Sequence, residues 1–232
     1  MRRKLVSLGV YVLIVIAWTA APHVCAQSIT EKVEWTWADR PEHPNPALPD
    51  ILLIGDSITR AYYAETSRLL DGRANCYLFA TSASSGDSRL PKQIADLATM
   101  MPSTFAVIHF NNGMHGWEYT EQQYAAGLPG VVAAVRKLSP SAALLWASTT
   151  PLRKPTTAGA TNQRVDERNR LALAVMQQQH IQVDDQGGLM LQHQDLHQDD
   201  VHFTKEGSAV QAQQVAQSIL QALSRSAKQG LK

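Results

Sequence analysis

The residues best suited to chemistry lie far apart in the chain. Gly55-Asp56-Ser57 directly follows the apolar run Ile51–Ile54. A glycine there lets the chain turn tightly as it leaves a buried strand. Ser57 would then open a helix, with its hydroxyl at the edge of a sheet and its own N–H without an intrahelical acceptor. A serine in that position can act as a nucleophile. The same tripeptide can also serve only to cap a helix, through Asp56 or Ser57. The second cluster is Asp199-Asp200-Val201-His202. A serine hydroxyl needs a base, and a histidine base needs a carboxylate to orient it. An Asp and a His three residues apart on one tight turn can meet directly. The stretch also reads as a plain polar loop, with His193, Asp195 and His197 as competing side chains.

Bringing the two clusters together requires a scaffold, and the pattern from Ile51 onward supplies one. Short apolar runs at 51–54, 76–80, 105–110, 142–148 and 181–183 read as strands. Helical patterns lie between and after them at 59–70, 91–101, 120–138, 162–179 and 205–224. Five strands separated by helices predict an α/β fold: a three-layer αβα sandwich around a parallel five-stranded sheet. Ligands of such sheets bind beyond the carboxyl ends of the strands, where Ser57 is expected. Residues 27–49 are polar and carry Pro41, Pro44, Pro46 and Pro49. They read as an extended lead-in over the surface, anchored by Trp35 and Trp37.

A chain of 232 residues suits one such domain, here 50–232. The net charge is +1 and no basic run occurs, so nucleic-acid binding has no electrostatic support. Residues 1–26 read as a secretory signal peptide. Arg2, Arg3 and Lys4 begin it, an apolar run reaches Ala21, and Val24-Cys25-Ala26 offers a cleavage site. The alternative is an uncleaved membrane anchor. Cleavage would leave 18 basic against 20 acidic residues, no stable membrane insertion, and Cys76 as the one cysteine. A lone cysteine in an apolar run reads as a buried strand residue. The expected location is periplasmic or extracellular.

Gly-Asp-Ser after the first strand, paired with Asp-x-x-His before the last helix, resembles the SGNH/GDSL hydrolases over essentially the whole mature chain. The resemblance implies a flavodoxin-like sheet and an esterase with Ser57 as nucleophile, His202 as base and Asp199 as its orienting carboxylate. It also implies an oxyanion hole built from the N–H groups of Ser57 and Gly86 and the amide of Asn111, with Asn112 as the alternative. Gly86 matches through Ser85-Gly86-Asp87-Ser88, although the usual preceding Asn-x-Gly is absent. The asparagine block departs further: Asn111-Asn112-Gly113 lacks both the Gly-x before it and the Asp after it. Trp117, just beyond, is a candidate surface for stacking on a sugar.

No cofactor and no metal are expected, because His109, His115 and His202 fit no metal-binding spacing. The expected partner is a small-molecule or glycan ester, foremost an O-acetylated carbohydrate. The alternatives are a lysophospholipase or thioesterase, and a catalytically silent glycan-binding module.

Overall fold

The computed structural model describes residues 28–102 and 104–229. The expected signal peptide, 1–26, lies outside them. Six strands form one sheet: β1 Thr36–Asp39, β2 Asp50–Gly55, β3 Asn75–Thr81, β4 Val107–Phe110, β5 Ala143–Ala147 and β6 Gln182–Asp184. Six α-helices accompany them: α1 Ser57–Leu69, α2 Arg89–Asp96, α3 Glu121–Leu138, α4 Asn162–Gln178, α5 Gln186–Leu191 and α6 Lys205–Gln229. The strand order is β1-β3-β2-β4-β5-β6. Strands β2 to β6 are all parallel and keep the flavodoxin-like order.

The expectation of five strands is corrected to six. The lead-in supplies an antiparallel edge strand, with Trp37 opposite Ala80. Its prolines fall outside β1, at 41, 44, 46 and 49, so none removes a ladder donor. Of the two expected anchors, only Trp35 packs against the core. Trp37 is half exposed.

Strand side chains alternate between two faces, and each face is covered by helices. Ile51, Leu53, Leu78 and Leu145 join residues of α1 and α6 in one apolar cluster. Leu52, Ile54, Phe79, Ile108 and Trp146 join residues of α2, α3 and α4 in the other. This double cover explains why the central strands read as continuous apolar runs rather than alternating ones. Cys76 is buried in β3, and burial pushes its thiol pKa up, so it is held as the neutral thiol.

Two local devices bring the first strand to the site. A Cβ on Gly55 would collide with the side chain of Thr59, so only glycine lets α1 start this close to β2. Asp56 then caps α1, its Oδ1 accepting from the N–H of Ile58 at 3.0 Å. With Asp56 in that role, the hydroxyl of Ser57 is free for another partner.

Candidate active site

Ser57 opens α1 beyond the carboxyl end of β2, while His202 and Asp199 lie on the turn before α6. The fold brings them together across 145 residues: Ser57 Oγ lies 2.8 Å from His202 Nε2. The other ring nitrogen, Nδ1, lies 2.9 Å from Asp199 Oδ2 and 3.2 Å from Oδ1. The turn is closed by Asp199 itself, whose Oδ1 accepts from the backbone N–H groups of Val201 at 2.8 Å and His202 at 2.7 Å. Burial alone would raise the Asp199 pKa. Those two N–H groups and the imidazole outweigh it and hold the carboxyl down to about 2. Asp199 is therefore a carboxylate at any physiological pH. An anion there keeps the proton on Nδ1 and leaves Nε2 as an acceptor facing the serine hydroxyl.

Asp200 turns the other way. It pairs with Arg153 at 3.1 Å, and its backbone carbonyl accepts from the Arg153 N–H. The competing histidine His197 is locked against the carbonyls of Gln194 and Pro151 and packs on Phe203. The Asp199 and His202 side chains are 52% and 40% exposed, so the triad sits in an open, shallow setting.

The expected oxyanion donors differ in how far other contacts engage them. The Ser57 N–H lies in the first turn of α1, where no intrahelical acceptor exists. Gly86 N–H has only a long 3.4 Å contact to Ser84 Oγ. Asn111 gives one amide hydrogen to the carbonyl of Ala147 at 2.9 Å, and its remaining contact is 3.4 Å to Thr149 Oγ1. Its second N–H is therefore weakly engaged. Asn112 is used at both ends by the loop after β3: its Oδ1 accepts from Ser85 N–H, and its Nδ2 donates to the Ala83 carbonyl. It is a clasp between two loops, and Asn111 has the freer donor.

Trp117 is corrected. The residue is 7% exposed and belongs to the core. The indole N–H donates to the Met114 carbonyl, and the Arg168 guanidinium lies 3.8 Å from the ring centroid. No sugar can reach that face.

Arg168 is the residue that the sequence did not single out as part of the site. It is fully buried in α4 and donates to the carbonyls of Gly113, His115 and Gly116. Those carbonyls belong to the loop that follows Asn111 and Asn112. Burial lowers its pKa to about 10, still charged at neutral pH. The next residue, Asn169, bonds both the N–H and the C=O of Thr149, which stands beside Asn111. Arg168→Met should destabilise the fold by roughly 3 kcal/mol or more, since each orphaned buried acceptor costs about 1–3 kcal/mol. Chemical denaturation measures this, and a change under about 0.5 kcal/mol would show that the clamp is dispensable.

The three histidines considered as ligands each face one carboxylate: His109 with Asp184 at 2.8 Å, His115 with Glu31 at 3.0 Å, and His202 with Asp199. Activity should therefore survive incubation with EDTA. Loss on chelation that one divalent ion restores would contradict this assignment of the histidines.

A nucleophile, base and carboxylate at the carboxyl edge of a parallel sheet are what acyl transfer from an ester requires. Residues 53–210 match the GDSL-like Lipase/Acylhydrolase family, and the chain belongs to it. It is an ester-hydrolysing enzyme of the SGNH/GDSL type.

Solved structures share the fold at low identity. A carbohydrate esterase family 3 protein from Talaromyces cellulolyticus superposes with a TM-score of 0.61 at 13% identity, covering 77% of this chain and 99% of that one. The aryl esterase of M. smegmatis gives 0.59 at 15%, covering 75% and 99%. A mutant of an acetyl-xylooligosaccharide esterase from Geobacillus gives 0.58 at 13%, covering 73% and 93%. No curated protein sequence matches the chain.

Proposed function

We propose that this protein is an exported esterase that removes small acyl groups, foremost O-acetyl groups from carbohydrate, through Ser57, His202 and Asp199. The observation that carries the reading is the continuous relay from Ser57 Oγ through His202 to Asp199. In the reaction, Ser57 Oγ attacks the ester carbonyl as its proton passes to His202 Nε2. The carbonyl oxygen becomes an oxyanion, facing the N–H groups of Ser57 and Gly86 and the amide of Asn111. Each donor of this kind is worth about 3–4 kcal/mol in the transition state. The imidazolium, stabilised by Asp199, then protonates the leaving alcohol. Water attacks the acyl-enzyme with His202 again as base, and the acid is released.

The open setting of the triad supports a small acyl group on a bulky alcohol, since no deep tunnel is needed to seat two carbons. Esterases acting on acetylated sugars occur among the structural neighbours. Export rests on the basic start, the apolar run and Val24-Cys25-Ala26. The test is kcat/KM for p-nitrophenyl esters of increasing chain length, beside acetylated xylo-oligosaccharides. The expected result is a maximum at acetate and turnover of the acetylated sugars. A rise from two carbons to eight or more would replace this reading with the lipase-like one.

A further inference from the structure

Trp37 is the one aromatic among the large apolar side chains left exposed in the described residues, at 50%. Its place in the sheet relates it to the site. Trp37 lies opposite Ala80 on β3, and Ala80 lies opposite Gly55 on β2. Two interstrand steps of roughly 4.8 Å set Trp37 about 10 Å from Gly55, two residues before the nucleophile. All three positions face the α1 side. Ala80 packs in that cluster, and a side chain on Gly55 would meet Thr59 of α1. Because β1 runs antiparallel, its start lies at the same sheet edge as Ser57.

Arg60 completes the feature. It stands three residues after Ser57 in the first turn of α1, exposed to solvent. Its guanidinium lies 5.0 Å from the ring centroid of Trp37 and 5.7 Å from that of Trp35. Trp35 in turn meets His115 edge-on at 5.7 Å, in the loop beyond Asn111. Among the described residues Arg60 has no carboxylate partner and no side-chain hydrogen bond, so its donors are uncommitted.

Trp37 is not needed to hold the lead-in down. Ser28 bonds Asp87, Glu31 bonds His115 and Gly116, and Glu34 bonds Ser82 and Arg89. Burial would raise the Glu31 pKa and lower that of His115. Their mutual hydrogen bond, the Gly116 N–H on Glu31 and the neighbouring charges together outweigh it, so Glu31 is shifted down and His115 up. The lead-in is thus fixed by polar contacts to the segments that follow β3 and β4, and its Trp37 indole stays half exposed with Arg60 over one face.

We propose that Trp37 and Arg60, backed by Trp35, form a glycan subsite that holds a sugar neighbouring the one whose acetyl group is presented to Ser57. A pyranose has an apolar C–H face and a rim of hydroxyls. The indole matches the face, and the planar guanidinium fork matches the rim. This replaces Trp117, which is buried, with an aromatic that solvent can reach. The inference rests on the glycan-esterase reading but is tested apart from it.

The test is isothermal titration calorimetry of the full mature chain with xylohexaose and, separately, chitohexaose, neither of which carries an O-acetyl ester. Wild type should bind one of them, and Trp37→Ala or Arg60→Ala should weaken that binding about tenfold or more. Hydrolysis of p-nitrophenyl acetate should be unchanged in both variants, which also shows that they fold. Binding of neither hexaose, or binding that the two substitutions leave intact, would overturn the subsite. So would a dimeric wild type that Trp37→Ala converts to monomer, because the shelf would then be a self-interface. Failure of the esterase reading looks different: calorimetric binding that depends on Trp37, without hydrolysis of acetylated oligosaccharides.

Discussion

Replacing Ser57 by Ala should abolish hydrolysis of p-nitrophenyl acetate and leave the fold intact. The loss in kcat is expected to approach about a million-fold, the scale seen when the serine of a subtilisin-type triad is removed. The fold should be spared because Asp56, not Ser57, caps α1. Ser57 Oγ has one protein partner among the described residues, His202 Nε2. Circular dichroism and the thermal midpoint should therefore match wild type. Near-normal turnover in a correctly folded variant would remove Ser57 from the mechanism.

The second large effect separates two adjacent carboxylates. Asp199→Asn should lower kcat by roughly 10²–10⁴-fold. The asparagine oxygen can still accept the N–H groups of Val201 and His202, so the turn survives. Its NH₂ group, however, would face His202 Nδ1 and favour the tautomer that carries a hydrogen on Nε2. That tautomer cannot accept the serine proton. Asp200→Asn should cost little, since Asp200 faces Arg153 in an exposed pair worth about 0–1 kcal/mol. The two variants are compared at matched thermal stability. If Asp200→Asn were the damaging change, the orienting carboxylate would be misassigned by one residue.

Much of the scaffold was legible because its strands are buried on both faces and read as unbroken apolar runs. The strand β1 was not, since Thr36-Trp37-Ala38-Asp39 is exposed along its whole length and has no apolar side to betray it. Helix α5 was hidden by Gly187 and Gly188, which read as breakers; Asp185 caps it by accepting from Gly188 N–H at 3.0 Å. In the site, the Asp-x-x-His spacing forecast a direct contact because a tight turn leaves those side chains few alternatives.

The two asparagines could not be ranked from sequence. Their difference is which loop each side chain reaches, and that is a tertiary fact. Trp117 was misread for the same reason, as nothing local says that Arg168 covers it. Arg168 did leave a trace. Val165, Arg168, Ala172 and Met176 all lie on the buried stripe of α4. A charge at helical spacing among apolar residues is the mark of a buried clamp.

The central claim is that Ser57 is activated by His202. The most direct test is labelling with a fluorophosphonate probe followed by peptide mapping. Only a serine made nucleophilic by a neighbouring base reacts readily with such a probe. The account predicts one adduct, on the peptide containing Ser57, lost in Ser57→Ala and strongly slowed in His202→Ala. An unlabelled wild type, an adduct on another serine, or labelling indifferent to His202 would contradict it.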